Sequence, residues 1–337
     1  MTDTTGKLSL FFAAISFYLF SSFSTVIGAE KLTGLYSSYS ISYSLPWIAR
    51  ELGLFRKNNL EFDLVYIPSS GIATAALLSG QVDVALAGGV GFVRAFAQGA
   101  TELVFIGGFK NYLTFAVVGK PEIQRPEDLK GKKIGITRLG SNSHYFTVQL
   151  LRKLGLDPVK DVTLIQTGSE TEVLAALTNG AIDAGTMPPP LDARALAQNF
   201  RYVYVAYGPE VAIPYPAANI VTRRAVVEKR SAAFSLFLRT MAEASKVLHT
   251  DRESSYKVLE KLFRVTDRKL IEHAYNSEIK VMERRLNVNL AGVQAVLEDT
   301  AKTDPRAAKV NAQELVDRRY LDEMEKSGYF ARLWGGK

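Results

Sequence analysis

Cysteine is absent from the 337 residues. That absence excludes disulfides, thiolate metal sites, iron–sulfur clusters and cysteine nucleophiles, and also a lipid-modified cysteine as a membrane tether. Histidine is scarce. His144, His249 and His273 form neither an H-x-x-x-H nor an H-E-x-x-H pair, so no metal site or other cofactor is expected. No carboxylate stands where it would orient His144, which leaves a nucleophilic triad without support. Concentrated basic sequence is missing too, although the net charge is +7. The densest cluster is Arg223, Arg224, Lys229 and Arg230, with Glu228 among them. Without a basic tail or interleaved arginine and aromatic residues, nucleic acid is not an expected partner, and the charge reads as an ordinary basic surface.

One stretch, residues 8–27, lacks charge altogether. It is rich in Leu, Phe and Ala, follows Lys7, and ends at the small residues Gly28 and Ala29. It reads as a secretory signal over residues 1–29, although its length would also suit an uncleaved membrane anchor. Either reading places the rest of the chain outside the cytoplasm, in the periplasm. That remainder is longer than one compact core usually holds, so two lobes are expected.

The strongest internal feature is a repeat. Gly80-Gln81-Val82-Asp83 recurs as Gly180-Ala181-Ile182-Asp183, and Arg94-Ala95-Phe96-Ala97-Gln98 recurs as Arg194-Ala195-Leu196-Ala197-Gln198, both one hundred positions on. Arg50-Glu51-Leu52-Gly53-Leu54 resembles Arg152-Lys153-Leu154-Gly155-Leu156 in the same order. Each copy alternates apolar runs with helical periodicity. The first copy predicts strands over 32–36, 62–67, 82–87 and 103–106, with helices over 46–58, 71–78 and 92–98. The second predicts strands over 133–137, 162–166, 182–185 and 202–206, with helices over 144–154, 171–178 and 191–198. Strands joined through helices imply mainly parallel sheets flanked by helices, one per lobe. The expected division is residues 30–113 for lobe one, 114–213 for lobe two, and 214–337 for a return to lobe one with C-terminal helices packed on it.

Ligands of open parallel sheets sit at the carboxyl ends of the strands. The loops there are short and rich in hydroxyls, glycines and amides, and each leads into a helix whose free N–H groups suit anions. For any one residue, helix capping is the better explanation of the choice. Their recurrence at equivalent ends of two units favours a shared clamp. The candidate contacts are Ser38, Tyr39, Ser69, Ser70, Gly89, Ser141, Asn142, Ser143 and Met187, with Arg138 as a fixed charge for an anionic group. Gly88-Gly89-Val90-Gly91 is not a dinucleotide fingerprint. Asp83 and Asp183 begin their strands, far from the carboxyl ends, so turn roles are expected of them rather than catalysis.

These segments also carry a family resemblance. Pro46-Trp47-Ile48-Ala49-Arg50-Glu51-Leu52-Gly53-Leu54-Phe55, Leu78-Ser79-Gly80-Gln81-Val82-Asp83-Val84-Ala85, Pro126-Glu127-Asp128-Leu129-Lys130-Gly131-Lys132-Lys133-Ile134-Gly135 and Gly140-Ser141 resemble, in order and spacing, the solute-binding proteins of ABC transporters in the nitrate/sulfonate/taurine class. That class shares its fold with binders of thiamine-pyrimidine precursors. The match covers about residues 32–250. It implies a type II periplasmic-binding-protein fold with two hinge crossings, closing as a monomer on a small solute and presenting it to a membrane permease, without catalysis. A sulfonate-, carboxylate- or nitrate-like anion is the expected ligand. A pyrimidine binder, a sensor feeding a receptor, and an enzyme on the same fold are the alternatives. The cysteine-rich motif of the eukaryotic thiamine-pyrimidine synthases has no counterpart here.

Overall fold

The computed structural model describes residues 29–211 and 213–335. Apart from Ala29, the expected signal segment lies outside the described residues.

The first unit runs β1 (Glu30–Tyr36), α1 (Leu45–Glu51), α2 (Leu54–Lys57), β2 (Leu60–Tyr66), α3 (Ser70–Leu78), β3 (Val84–Ala87), α4 (Gly89–Ala97) and β4 (Leu103–Leu113). The second runs β5 (Ala116–Gly119), β6 (Lys133–Ile136), α5 (Asn142–Lys153), β7 (Thr163–Gln166), α6 (Glu170–Thr178), β8 (Ala184–Met187), α7 (Leu191–Leu196) and β9 (Arg201–Val205). The chain then returns through β10 (Ile213–Arg223). Helices α8 (Arg224–Lys229), α9 (Ser231–Thr250), α10 (Arg252–Phe263), α11 (Arg268–Glu278), α12 (Leu290–Ala301), α13 (Arg319–Lys326) and α14 (Tyr329–Trp334) complete it.

Two five-stranded sheets result, ordered β2-β1-β3-β10-β4 and β7-β6-β8-β5-β9. Their topologies superimpose. In each, a central strand pairs in parallel with two neighbours (β1 with β2 and β3; β6 with β7 and β8), and an antiparallel strand closes the far side. The antiparallel strand of each sheet, β10 or β5, follows a crossing from the other lobe. This is an α/β, two-lobed architecture with two crossings, as the repeat predicts.

The repeat extends to hydrogen bonds. The Asp83 carboxylate accepts from the Thr33 N–H at 2.8 Å, and the Asp183 carboxylate accepts from the Lys133 N–H at 3.0 Å. Both aspartates tie the start of a strand to its neighbour, the turn role expected of them. Arg230 and Lys120 complete the two pairs at 2.8 and 2.7 Å.

Helix formation over 46–58 is interrupted. Gly53 adopts φ 67°, which ends α1 and starts α2, because a left-handed residue cannot continue a right-handed helix. In the C-terminal part, α9 buries Phe234, Phe237, Leu238 and Met241 in one core with Leu32, Ile48 and Phe62.

Candidate functional site

The strand-end loops of both units face one another across a cleft. Its walls include Ser37, Ser38, Ser69, Ser70 and Gly88 from the first unit, and Thr137, Ser141, Asn142, Ser143, Ser169 and Glu170 from the second. The floor is formed by Lys110, Leu113, Thr114 and Phe115, where β4 passes into β5. The space between the walls, mouth included, is about 540 Å³. The walls stand close together: only about 40 Å³ of that space is free for the centres of water-sized molecules.

Four helix starts meet here, with Ser69, Gly88, Ser141 and Ser169 at the cap positions of α3, α4, α5 and α6. Two are capped from within: the Ser141 Oγ accepts from the His144 N–H at 3.3 Å, and the Ser169 Oγ from the Glu172 N–H at 3.4 Å. At α4 the Val90 N–H donates to the buried Tyr215 hydroxyl at 3.1 Å. The start of α3 has no side-chain cap. There Ser69 holds φ 74° and ψ 134°, a conformation that costs a non-glycine residue about 1–3 kcal/mol.

Polar contacts join the lobes around the cleft. Asn142 Nδ2 donates to Ala217 O at 2.9 Å, and its Oδ1 accepts from the Tyr215 hydroxyl at 3.0 Å. The Ser70 hydroxyl lies 3.5 Å from Gly140 O. Beyond the mouth, His273 of α11 meets the wholly buried Asp192 of α7 at 2.8 Å, and the Tyr202 hydroxyl joins the same carboxylate at 2.7 Å. Burial pushes the Asp192 carboxyl up, but His273 and the two hydroxyls of Tyr207 and Tyr202 outweigh it and hold the group below the usual carboxylate range. Arg194 of α7 donates to Phe263 O at 2.9 Å.

The charges of the cleft are few. Lys110 donates to Glu278 at 2.8 Å and to Thr114 at 2.9 Å, all three side chains being buried. Glu278 also accepts from the Ser42 hydroxyl at 2.8 Å. Glu170, the first residue of α6, is 8% exposed. Its partners are the Ser38 hydroxyl and the Tyr39 N–H of the opposite lobe. Burial outweighs these bonds and pushes its carboxyl up to about 7.

Of the ten candidate residues, Ser38, Ser69, Ser70, Ser141, Asn142 and Ser143 line the cleft together. Tyr39 lies outside it, in a neighbouring aromatic groove with Tyr36 and Trp47. Gly88 takes the place expected of Gly89, which is buried against Pro216. Met187 belongs to the lobe-two core, because β8 continues to that residue and turns its side chain inward, leaving Pro188 at the wall. Arg138 is exposed and absent from the walls; its neighbour Thr137 faces inward instead, bonded to the Ser141 and Ser143 hydroxyls at 2.8 and 3.0 Å.

Lys110, Glu170 and Glu278 escaped sequence reasoning. Lys110 carried a signal, as the lone charge in a long apolar stretch. Glu170 directly follows the loop between β7 and α6. Glu278 had none, since nothing in α11 marks it as facing the crossing.

The family model described as "NMT1/THI5 like" matches residues 44–254. A protein of Brucella abortus (strain 2308), named as a binding protein, is 25% identical over 255 residues, covering 74% of this chain and 76% of that one. Among solved structures, the periplasmic aliphatic sulphonate binding protein SsuA from Escherichia coli aligns with a TM-score of 0.66 at 23% identity, over 85% of this chain and 97% of that one. The periplasmic nitrate-binding protein NrtA from Synechocystis PCC 6803 aligns with a TM-score of 0.74 at 12% identity, over 89% of each. The fold is that of the periplasmic binding proteins, and by a family model spanning most of the chain this protein belongs to the NMT1/THI5-like family.

Proposed function

We propose that the chain is the extracytoplasmic solute-binding component of an ABC import system, closing its two lobes on a small polar solute and handing it to a membrane permease. The observation that carries this reading is the composition of the cleft. Both lobes contribute strand-end hydroxyls and helix starts to one space, and those walls touch each other only when the lobes are together. A solute bonded to both walls has differential affinity for the closed form, which is what ligand-driven closure requires. The family membership and the binding-protein neighbours point the same way.

Binding is favoured over catalysis by the wall chemistry. The cleft is lined by no histidine, and the Thr137, Ser141 and Ser143 hydroxyls are engaged with one another rather than with a base. The test is a thermal-shift screen of the protein against sulfonates, carboxylates, nitrate, amino compounds and pyrimidines, with product analysis of every hit. A true ligand at about a hundred times its Kd adds about 2.7 kcal/mol, roughly 5 °C for a chain of this size. Absence of any shift across the screen, or turnover of a hit, would overturn the reading.

A further inference from the structure

Charge within the cleft is unbalanced in a direction opposite to the anion expectation. Its lining holds two ionisable groups of ordinary acid–base range, Lys110 and Glu170. The lysine is already matched by Glu278, which shows no exposed surface. Glu170 has no salt-bridge partner among the described residues, only a hydroxyl and a backbone N–H. A carboxylate removed from water without a counter-charge is costly, and a second anion beside it would add like-charge repulsion at low dielectric. A donor group with positive charge would offset both.

Resting on the solute-binding reading above, we propose that the solute carries an N–H donor group, a protonated amine or an amino group on a heterocycle, which Glu170 receives. The opposite end of the solute meets acceptor-seeking groups: the uncapped N–H groups at the start of α3 and the Ser70 hydroxyl. A solute with an amino group at one end and oxygens at the other therefore suits the cleft. Bare oxyanions such as nitrate do not. Glu170 acts as the residue that selects for the donor, since it stands on lobe two while its present partners stand on lobe one. The donor group, by bonding to Glu170, couples recognition to closure.

Matched pairs differing only at the donor test this: taurine against isethionate, and β-alanine against 3-hydroxypropanoate. Titration calorimetry on the wild type should favour the amino member of any binding pair by about tenfold or more, and Glu170→Gln should reduce that preference to about threefold or less. Equal or tighter binding of the hydroxy member, or a preference that survives in the variant, overturns the inference while leaving the binding function intact. Failure of every member, together with a flat wider screen, removes the binding function itself.

A measurement on the wild type alone guards against a misfolded variant. Titrations at pH 7 in two buffers of different ionisation enthalpy report protons exchanged on binding. The groups around Glu170 are Lys110, Glu278, Tyr43 and Tyr66, and burial pushes both tyrosines far above this pH. An amine stabilises the ionised carboxyl and so releases a proton. Proton uptake, the signature of an anion seated there, overturns the inference.

Discussion

Gly88→Ala offers a test of closure that leaves each lobe untouched. Gly88 holds φ −68° and ψ 147°, a conformation alanine adopts freely, so lobe one has no local reason to misfold. Its missing Cβ would lie 2.0 Å from Asn142 Oδ1 and 2.4 Å from Asn142 Cγ and Nδ2, across the cleft. Asn142 must then retreat by more than about 1 Å to reach ordinary contact distance. It cannot do so and keep its bonds to Ala217 O and the Tyr215 hydroxyl. Two hydrogen bonds at about 1 kcal/mol each, plus the cost of leaving the buried Tyr215 O–H without an acceptor, amount to about 3 kcal/mol against the closed form. A shift of that size changes the closed-to-open ratio by about a hundredfold and weakens apparent ligand affinity in proportion to the lost closed population. Small-angle scattering should show a larger radius of gyration for the variant at saturating ligand for the wild type, with an unchanged circular dichroism spectrum. Adding Asn142→Gly removes the obstacle and should restore part of the closure. Identical scattering and affinity in wild type and Gly88→Ala would refute the close approach on which the cleft is built.

Three further outcomes follow from the same contacts. Glu170, raised to about 7 from 4.5, contributes stability that is complete below pH 4.5 and lost as the pH rises through 7, whereas burial lowers His144 to about 4 from 6.5, so its contribution is complete above 6.5 and lost as the pH falls through 4. Urea unfolding should therefore show Glu170→Gln gaining about 3 kcal/mol on the wild type between pH 4.5 and 7, and parallel profiles would contradict the burial of that carboxyl. Ser69→Gly should raise the melting temperature by about 2 °C through relief of the positive φ, since the Ser69 hydroxyl caps nothing, and a lower melting temperature would show the strain to be absent. His273→Ala should destabilise the protein by about 1–2 kcal/mol, read in the same urea titration, by removing one bond to the buried Asp192; no change would place that pair outside the forces joining the lobes.

The duplication was legible because the positions that recur do the same mechanical work twice. Asp83 and Asp183 survive as a pair since each pins a strand start, and the two sheets share one strand order as a consequence. Strand ends were less legible. The fourth strand was expected over 103–106; in the sheet β4 continues through Gly107 and Gly108 alongside β10, at bulged register. The same error at β8, two residues in length, put Met187 in the loop beyond the strand, whereas it is the last strand residue and packs in the lobe-two core. Arg138 went the same way, polar composition having been taken for direction. Glu278 illustrates what no local pattern carries. Its role depends on α11 packing beside a crossing more than 160 residues away in sequence.

The distribution of contacts between the lobes explains how such a protein can open at all. One side of the interface is apolar: the Tyr145 and Tyr215 rings lie 4.8 Å apart within a core that draws on both lobes. The other side consists of single polar contacts, Glu170 with Ser38 and His273 with Asp192. Separating polar contacts exchanges them for water at about 1 kcal/mol each, whereas separating the apolar side exposes surface at about 25 cal/mol per Å². Rotation that parts the polar side and keeps the apolar side packed is therefore the least costly motion. Thr114, which lies between β4 and β5 and is held by both Lys110 and Glu278, stands at one of the two crossings that such a rotation would have to preserve. The buried ion pair sits at that crossing, and Glu170 stands near it on the wall of lobe two. Under the proposed function, a solute group that bonds Glu170 would take over its present contacts with Ser38 and Tyr39 of lobe one, and so would bear on the same equilibrium.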